Sequence, residues 1–311
     1  MMQKDLYNPL ESLKLIGLDL YFDELSSMYI KKVFPKVLML SGEKGIGKFT
    51  LINHLLNYIF NEKNYDKGNK LIDKNSPLIN KIKDNSFSNI IILKNFESNS
   101  IKIDDVRNLK NNLLKSTLVA GPRFIIIDDV EFFNNNCVNA LLKIIEEPTK
   151  TNFFILINNK QKTILETITS RCINYNIFQS NHNKKMVIEY LILNNNLEIS
   201  FDWSESNISP GLFLHFNELY LKNKLTESTN IITKIIILLD QYKKSKKKII
   251  INLIIHLIDR YFLNLTKLQN KKTFLFIKKK NNIIKNINNF VQYNLNTSLT
   301  VSLIEKEFEN V

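Results

Sequence analysis

The stretch Gly42-Glu43-Lys44-Gly45-Ile46-Gly47-Lys48 follows an apolar run, Val37–Leu40, and leads into residues with helical preference. Glycines at this spacing let the backbone curl until successive amide N–H groups face one concavity, and the following helix presents its positive end there. A phosphate chain is the ligand such a loop suits, with Lys48 reaching the terminal phosphates. The other reading, a tight turn with an exposed lysine, is disfavoured by the strand and helix patterns on either side. A hydrolysing loop places Ser or Thr directly after the lysine to hold magnesium. Here that residue is Phe49, and Thr50 comes one position later, turned by about 100° on a helix and so away from the metal. Gly42, Gly45, Gly47, Lys48, Phe49 and Thr50 therefore read as a nucleotide loop for ATP whose magnesium site is degraded.

A second polar cluster, Asp128-Asp129, ends the apolar run Phe124–Ile127. An acidic residue at that strand tip supplies a further magnesium contact in P-loop proteins, and a water-activating carboxylate follows it. Asp128 fits the first role. Asp129 stands in the second place but is one methylene shorter than the usual Glu, and a base of this kind is sensitive to placement. Both acids also suit the start of the next helix as caps. Asn159, beyond the run Phe153–Ile157, is a polar group suited to sensing a terminal phosphate. Arg171, in Ser170-Arg171-Cys172, carries a permanent planar charge that can complete a neighbouring subunit's phosphate site or form a local salt bridge.

The elements that must position these residues follow from periodicity. Val37–Leu40, Ile90–Leu93, Phe124–Ile127 and Phe153–Ile157 are short, branched and apolar throughout, the pattern of strands buried on both faces. A last strand is expected over Asn174–Ile177. Leu51–Phe60, Ile103–Leu118 and Val138–Glu146 carry apolar residues at three- and four-residue intervals, as helices do, and a helix beginning near Lys162 is expected to lead to Arg171. Strands alternating with helices predict a parallel α/β sheet, with Asn61–Asn89 as an excursion. From about Lys184 the pattern is helical, broken at Ser209-Pro210-Gly211. The expected domains are 1–178 (α/β), 179–217 (small, helical) and 218–311 (all-α).

The 311 residues hold 43 Lys and Arg against 30 Asp and Glu, and seventeen of these cations against seven acids lie from Phe216 onward. Such a tail attracts nucleic acid if it forms a groove; an AT-rich coding sequence also enriches Lys, Asn and Ile without any such role. A hydrophobic share of 44% excludes a disordered chain. Two cysteines, Cys137 and Cys172, build neither a disulfide framework nor a four-thiolate zinc site, and read as buried thiols of a cytoplasmic protein. The first residues lack the pattern of a signal peptide, and Ile249–Ile258 is short of the ~20 residues that span a membrane.

Taken in order, GEKGIGK, RFIIIDDVE, NALLKIIEEP and FFILINN with TILETITSRC resemble the delta-prime family of bacterial DNA polymerase III clamp loaders, within the AAA+ ATPases. Asn139-Ala140-Leu141-Leu142-Lys143 with Glu146-Glu147-Pro148 is similar to that family's helix after the second acidic motif, and Ser170-Arg171-Cys172 resembles its SRC signature, whose Arg acts across a subunit boundary. The resemblance is dense over residues 35–180. It implies a RecA-like AAA+ domain, a small helical lid and a helical collar that oligomerises. It further implies a largely non-hydrolysing stator without independent ATPase activity, in a DNA-directed DNA polymerase holoenzyme. Its partners would be gamma/tau motor subunits and a delta subunit in a hetero-oligomer that loads a sliding clamp on primed DNA. The segment similar to the family's second sensor, Ser209–Leu214, has no Arg, and residues 49–127 have no Cys for the zinc finger that many relatives carry. The alternatives are an active gamma/tau-like ATPase motor, against which Phe49 argues, and a nucleotide kinase, which would need an Arg-rich acceptor lid.

Overall fold

The computed structural model describes residues 8–93, 101–113, 119–204, 207–269 and 272–308. The first part of the chain runs α1 (Asp19–Ile30), β1 (Val37–Ser41), α2 (Lys48–Phe60), β2 (Tyr65–Asp66), β3 (Leu71–Ile72), α3 (Pro77–Lys83), β4 (Ile90–Leu93), α4 (Ile103–Leu113), β5 (Arg123–Ile127), α5 (Asn135–Ile145), β6 (Asn152–Asn158), α6 (Glu166–Thr169), β7 (Ile173–Asn176) and α7 (Asn181–Asn195). Five strands form one parallel sheet in the order β4-β5-β6-β1-β7. In β1, β5 and β6 successive side chains point to opposite faces and both faces are apolar. Leu38, Leu40, Phe124, Ile126, Ile155 and Ile157 pack in a layer with α1 and α2 residues such as Phe22, Leu25, Leu51 and Leu55. Met39, Ile125, Ile127, Phe154 and Leu156 pack with Val106 and Leu109 of α4 and Val138 and Leu141 of α5. A strand sandwiched between two helical layers has no polar face, which is why these segments read as continuous apolar runs. β7 lies at the sheet's edge and is largely exposed.

The remaining elements are α8 (Pro210–Lys222), α9 (Ile231–Ser245), α10 (Lys248–Leu268), α11 (Thr273–Tyr293) and α12 (Thr297–Phe308). The chain divides into two compact units, Met1–Leu197 with Ile208–Leu212, and Glu198–Asn207 with Phe213–Val311. In the second unit α9 to α12 bury a shared core that includes Leu238, Ile254, Ile258, Phe276, Ile283, Ile287 and Ile304. With few glycines in the chain, helix ends recruit Asn and Lys: Asn196, Lys246 and Asn294 adopt left-handed φ values of 48°, 55° and 49° as C-caps of α7, α9 and α11. By length and composition α10 could cross a membrane. It is 21 residues long, yet Ile250, Leu253, Ile254, Leu257 and Ile258 are buried within the unit, and Arg260 and Asp259 are ion-paired to Asp202 and Lys280.

Several expected boundaries shift. The helix expected to lead to Arg171 from near Lys162 is the single turn α6. The helix expected over Ile103–Leu118 is described to Leu113, and its last five residues lie outside the described residues. The excursion 61–89 holds a two-stranded antiparallel pair, β2 with β3, and α3. Cys137 is fully buried as expected, whereas Cys172, on the last turn before an edge strand, is half-buried.

Candidate functional site

β1 delivers the chain to Gly42 at the carboxyl end of the sheet, and α2 starts at Lys48. Gly45 and Gly47 take φ values of 84° and 92°, a region L-residues with a Cβ rarely adopt. The loop's polar groups are engaged from within. Lys48 Nζ donates to the carbonyls of Gly42 (2.8 Å) and Glu43 (2.7 Å), and the side chain is 3% exposed. Burial pulls its pKa down to about 8 against the opposing pull of Asp128, Glu131 and Asp129. Lys184 of α7 pairs with the Glu43 carboxylate at 2.5 Å. Ser209 Oγ donates to the Lys44 carbonyl (2.6 Å), and the Gly211 N–H to the Gly45 carbonyl (2.9 Å). Gly211 and Gly45 meet so closely that a Cβ on Gly211 would stand 2.9 Å from Gly45 Cα. Beside the loop opens a cleft of about 370 Å³ lined by Gly42, Glu43, Ile46, Asn159 and Gln179, among others.

The acidic motif meets the loop at the same, carboxyl end of the sheet. Asn159, just beyond β6, donates from Nδ2 to Asp129 Oδ1 (2.7 Å) and Asp128 Oδ1 (3.3 Å). Its backbone N–H donates to Glu131 Oε1 (3.1 Å). Lys44 Nζ lies 3.5 Å from Asp129 Oδ1, and Asp129 itself sits at φ 54°. Glu131 is 6% exposed. Its Oε2 is buried without a hydrogen-bond partner, and burial pushes its pKa up. Lys44, Glu131 and Lys184 thus take part in the site together with Asp128, Asp129, Asn159, the loop glycines and Ser209 and Gly211 of the sensor-like segment. The adjacent Glu in Asp128-Asp129-Val130-Glu131 and the helix start at Ser209-Pro210 were the signals available.

A magnesium–nucleotide needs oxygen donors beside the loop. Asp128 and Asp129 offer carboxylates, but Phe49 has no oxygen and packs against the apolar layer of α2. Thr50 follows it in the first turn of that helix. This donor set does not fit a hydrolysing magnesium centre of the P-loop kind.

Arg171 is not part of this cluster. It precedes β7, whereas Gly42 follows β1, and the two strands run parallel in the register Leu38↔Ile173 to Ser41↔Asn176. At about 3.3 Å per residue, the start of β7, level with Leu38, lies roughly 13 Å along the strand direction from the level of Gly42, and Arg171 lies just before that start, at the opposite end of the strands. Its Nε and Nη2 both address Glu146 Oε1, at 2.9 and 2.7 Å, and Nη1 donates to the Thr167 carbonyl at 3.0 Å. The Arg171 side chain stays 37% exposed. Cys172 beside it donates to the Ile168 carbonyl at 3.1 Å, and burial pushes its thiol up to about 11, which keeps it protonated at neutral pH.

The family described as DNA polymerase III, delta subunit, matches residues 19–181. Subunit delta' of DNA polymerase III from Buchnera aphidicola subsp. Baizongia pistaciae is 32% identical over 133 residues, 43% of this chain and 35% of that protein. Subunit tau/gamma from Haemophilus influenzae is 32% identical over 76 residues, 24% of this chain and 11% of that protein. The aligned stretches thus cover well under half of these relatives' own length. A DNA polymerase III gamma subunit-related protein from Thermotoga maritima shares the fold, with a TM-score of 0.52 at 17% identity, covering 92% of this chain and 98% of that one. Because the family match spans more than half of the chain and takes in the phosphate loop, the acidic motif and Arg171 together, the chain belongs to the DNA polymerase III delta-prime family of AAA+ clamp-loader subunits.

Proposed function

We propose that this chain is the non-hydrolysing member of a clamp loader, which lends Arg171 to ATP held by a neighbouring gamma/tau-type motor subunit. The complex, with a delta-type subunit, would load a sliding clamp on primed DNA. The observation that carries this reading is the placement of Arg171 at the end of the strands opposite the chain's own phosphate loop. From there it is out of reach of its own loop, and its partly exposed guanidinium can serve only a phosphate brought by another molecule. The chain's own site supports the same reading. Phe49 stands where a hydroxyl would bind metal, Lys48 is bonded to its own loop, and Asn159 and Lys44 hold Asp129.

The test is reconstitution with the motor and delta-type subunits. Arg171→Ala is expected to leave assembly on a sizing column intact and to lower ATP turnover. Such an Arg contributes about 10³-fold or more where it acts alone, and other working sites in the ring make the observed loss partial. Unchanged turnover overturns the finger role. Rapid ATP hydrolysis by the isolated chain overturns the non-hydrolysing one.

A further inference from the structure

We propose that Glu146 is a positioning residue for Arg171: it fixes the guanidinium edge-on at the end of α5, so that the finger is aimed before any neighbour arrives. This rests on the reading of Arg171 as a group that acts on a neighbour's phosphate. Glu146 caps the C-terminus of α5, the helix that begins just after the chain's acidic motif. Its Oε1 accepts from Arg171 Nε and is ion-paired with Nη2 at 2.7 Å. The Thr167 carbonyl, in the one-turn helix α6, receives Nη1. A planar guanidinium held along one edge and braced from Nη1, which also lies 3.5 Å from Ser170 Oγ, is restrained about its last bonds, while Nη2 retains a donor for a further acceptor.

The arrangement suits orientation more than sequestration. A carboxylate bound end-on would occupy both terminal nitrogens, which a phosphate can use. Here the carboxylate takes the Nε side through one oxygen. Both partners are more than one-third exposed, so the pair adds little to stability. Its effect lies in geometry, where displacements of an ångström lower rates steeply. The same α5 ties this geometry to the fold, since its buried residues Val138, Leu141, Ile144 and Ile145 lock the helix that carries Glu146.

The experiment compares Glu146→Ala, Glu146→Gln and Arg171→Ala in the reconstituted loader, with an NMR spectrum of the Arg171 Nε–H in the free chain as a second readout. Glu146→Ala is expected to reproduce at least about half of the Arg171→Ala loss in kcat, with KM for ATP and assembly unchanged. Glu146→Gln keeps an acceptor oxygen and is expected to restore kcat. The Nε–H signal should be protected from exchange in the wild type and in Glu146→Gln and lost in Glu146→Ala. If Arg171→Ala lowers kcat while Glu146→Ala matches the wild type, positioning fails and the finger stands. If Glu146→Ala raises kcat, the carboxylate restrains Arg171 and the proposal is overturned. If Arg171→Ala itself has no effect, the finger reading falls and takes this one with it.

Discussion

Lys48 holds a charge almost wholly out of water, answered by two carbonyls of its own loop and by acids that raise its pKa without offsetting the burial. With a folded value near 8 against 10.5 for an ordinary lysine, the unfolded chain binds more protons between those limits, so this group makes stability rise with pH across that window. Lys48→Met is therefore expected to gain most over the wild type at pH 7, and the difference in Tm should shrink towards pH 10.5. A constant difference over that range counts against a charged, buried Lys48. His54 gives an acid counterpart. It is fully buried, with Nε2–H donating to the Ser12 carbonyl and Nδ1 accepting from the Tyr65 hydroxyl, and burial pulls its pKa down to about 4. The stability it supports is complete above pH 6.5 and is lost as pH falls through 4, a change of up to about 3 kcal/mol. His54→Gln should flatten the fall in urea midpoint across that interval, and an unchanged slope would exclude His54 as its source. At this scale the sequence exposed residues that end a strand or open a helix, as Asp128, Asn159 and Lys48 do. It concealed Lys184, because a lysine on an ordinary helix carries no periodic signal, and spacing alone did not show that Lys44 and Glu131, though inside or beside the motifs, turn towards Asp129 and the Asn159 amide. Nor could it pair Arg171 with Glu146, since they stand 25 positions apart with the whole of β6 between them.

Among elements, the parallel sheet was legible because burial on both faces leaves unbroken apolar runs, and the helix α1 was not. Its core side chains Phe22 and Leu25 are accompanied by a buried Ser26, while Leu20 and Ile30 face solvent, so the apolar stripe is blurred. The start of α8 shows a different limit. Ser209-Pro210-Gly211 reads as a break between helices, and it is also the segment that bonds the carbonyls of Lys44 and Gly45, more than 160 residues earlier. That contact is possible only because both positions lack a Cβ. Gly211→Ala would place a methyl 2.9 Å from Gly45 Cα and 3.0 Å from its carbonyl oxygen, against backbone that cannot turn aside. We expect a loss of about 1–3 kcal/mol and faster exchange of the residue 211 amide proton. Gly68→Ala is the control, since its Cβ would meet nothing nearer than 3.4 Å and its φ is not in the left-handed region. Equal effects of the two substitutions would show that the close approach at Gly45 is not what holds the segment.

Over the whole molecule the division into two compact units is discontinuous in sequence, residues 198–207 falling in the second and 208–212 in the first. A periodic reading cannot see such an exchange, because it follows from which core each side chain fills and not from where helices stop. Phe201 is fully buried and makes edge contacts with Phe216 and Tyr220, and Arg260 donates to the Asp202 carbonyl at 2.7 Å. These ties draw 198–207 into the second unit. The chain's one tryptophan, Trp203, lies in that same segment, its ring 5.8 Å from that of Phe213. Its fluorescence therefore reports the second unit, whereas far-UV circular dichroism reports helices of both. Each unit has its own apolar core, so urea unfolding followed by the two probes is expected to give different midpoints, the signature of a transition that is not two-state. Gly211→Ala and His54→Gln, which act in the first unit, should move the dichroism curve and leave the Trp203 curve in place. Arg260→Ala removes the donor to the Asp202 carbonyl and the cation beside its carboxylate and should move the fluorescence curve first. Coincident curves that shift together under all three substitutions would mean that the chain unfolds as one cooperative body, with the two cores thermodynamically inseparable.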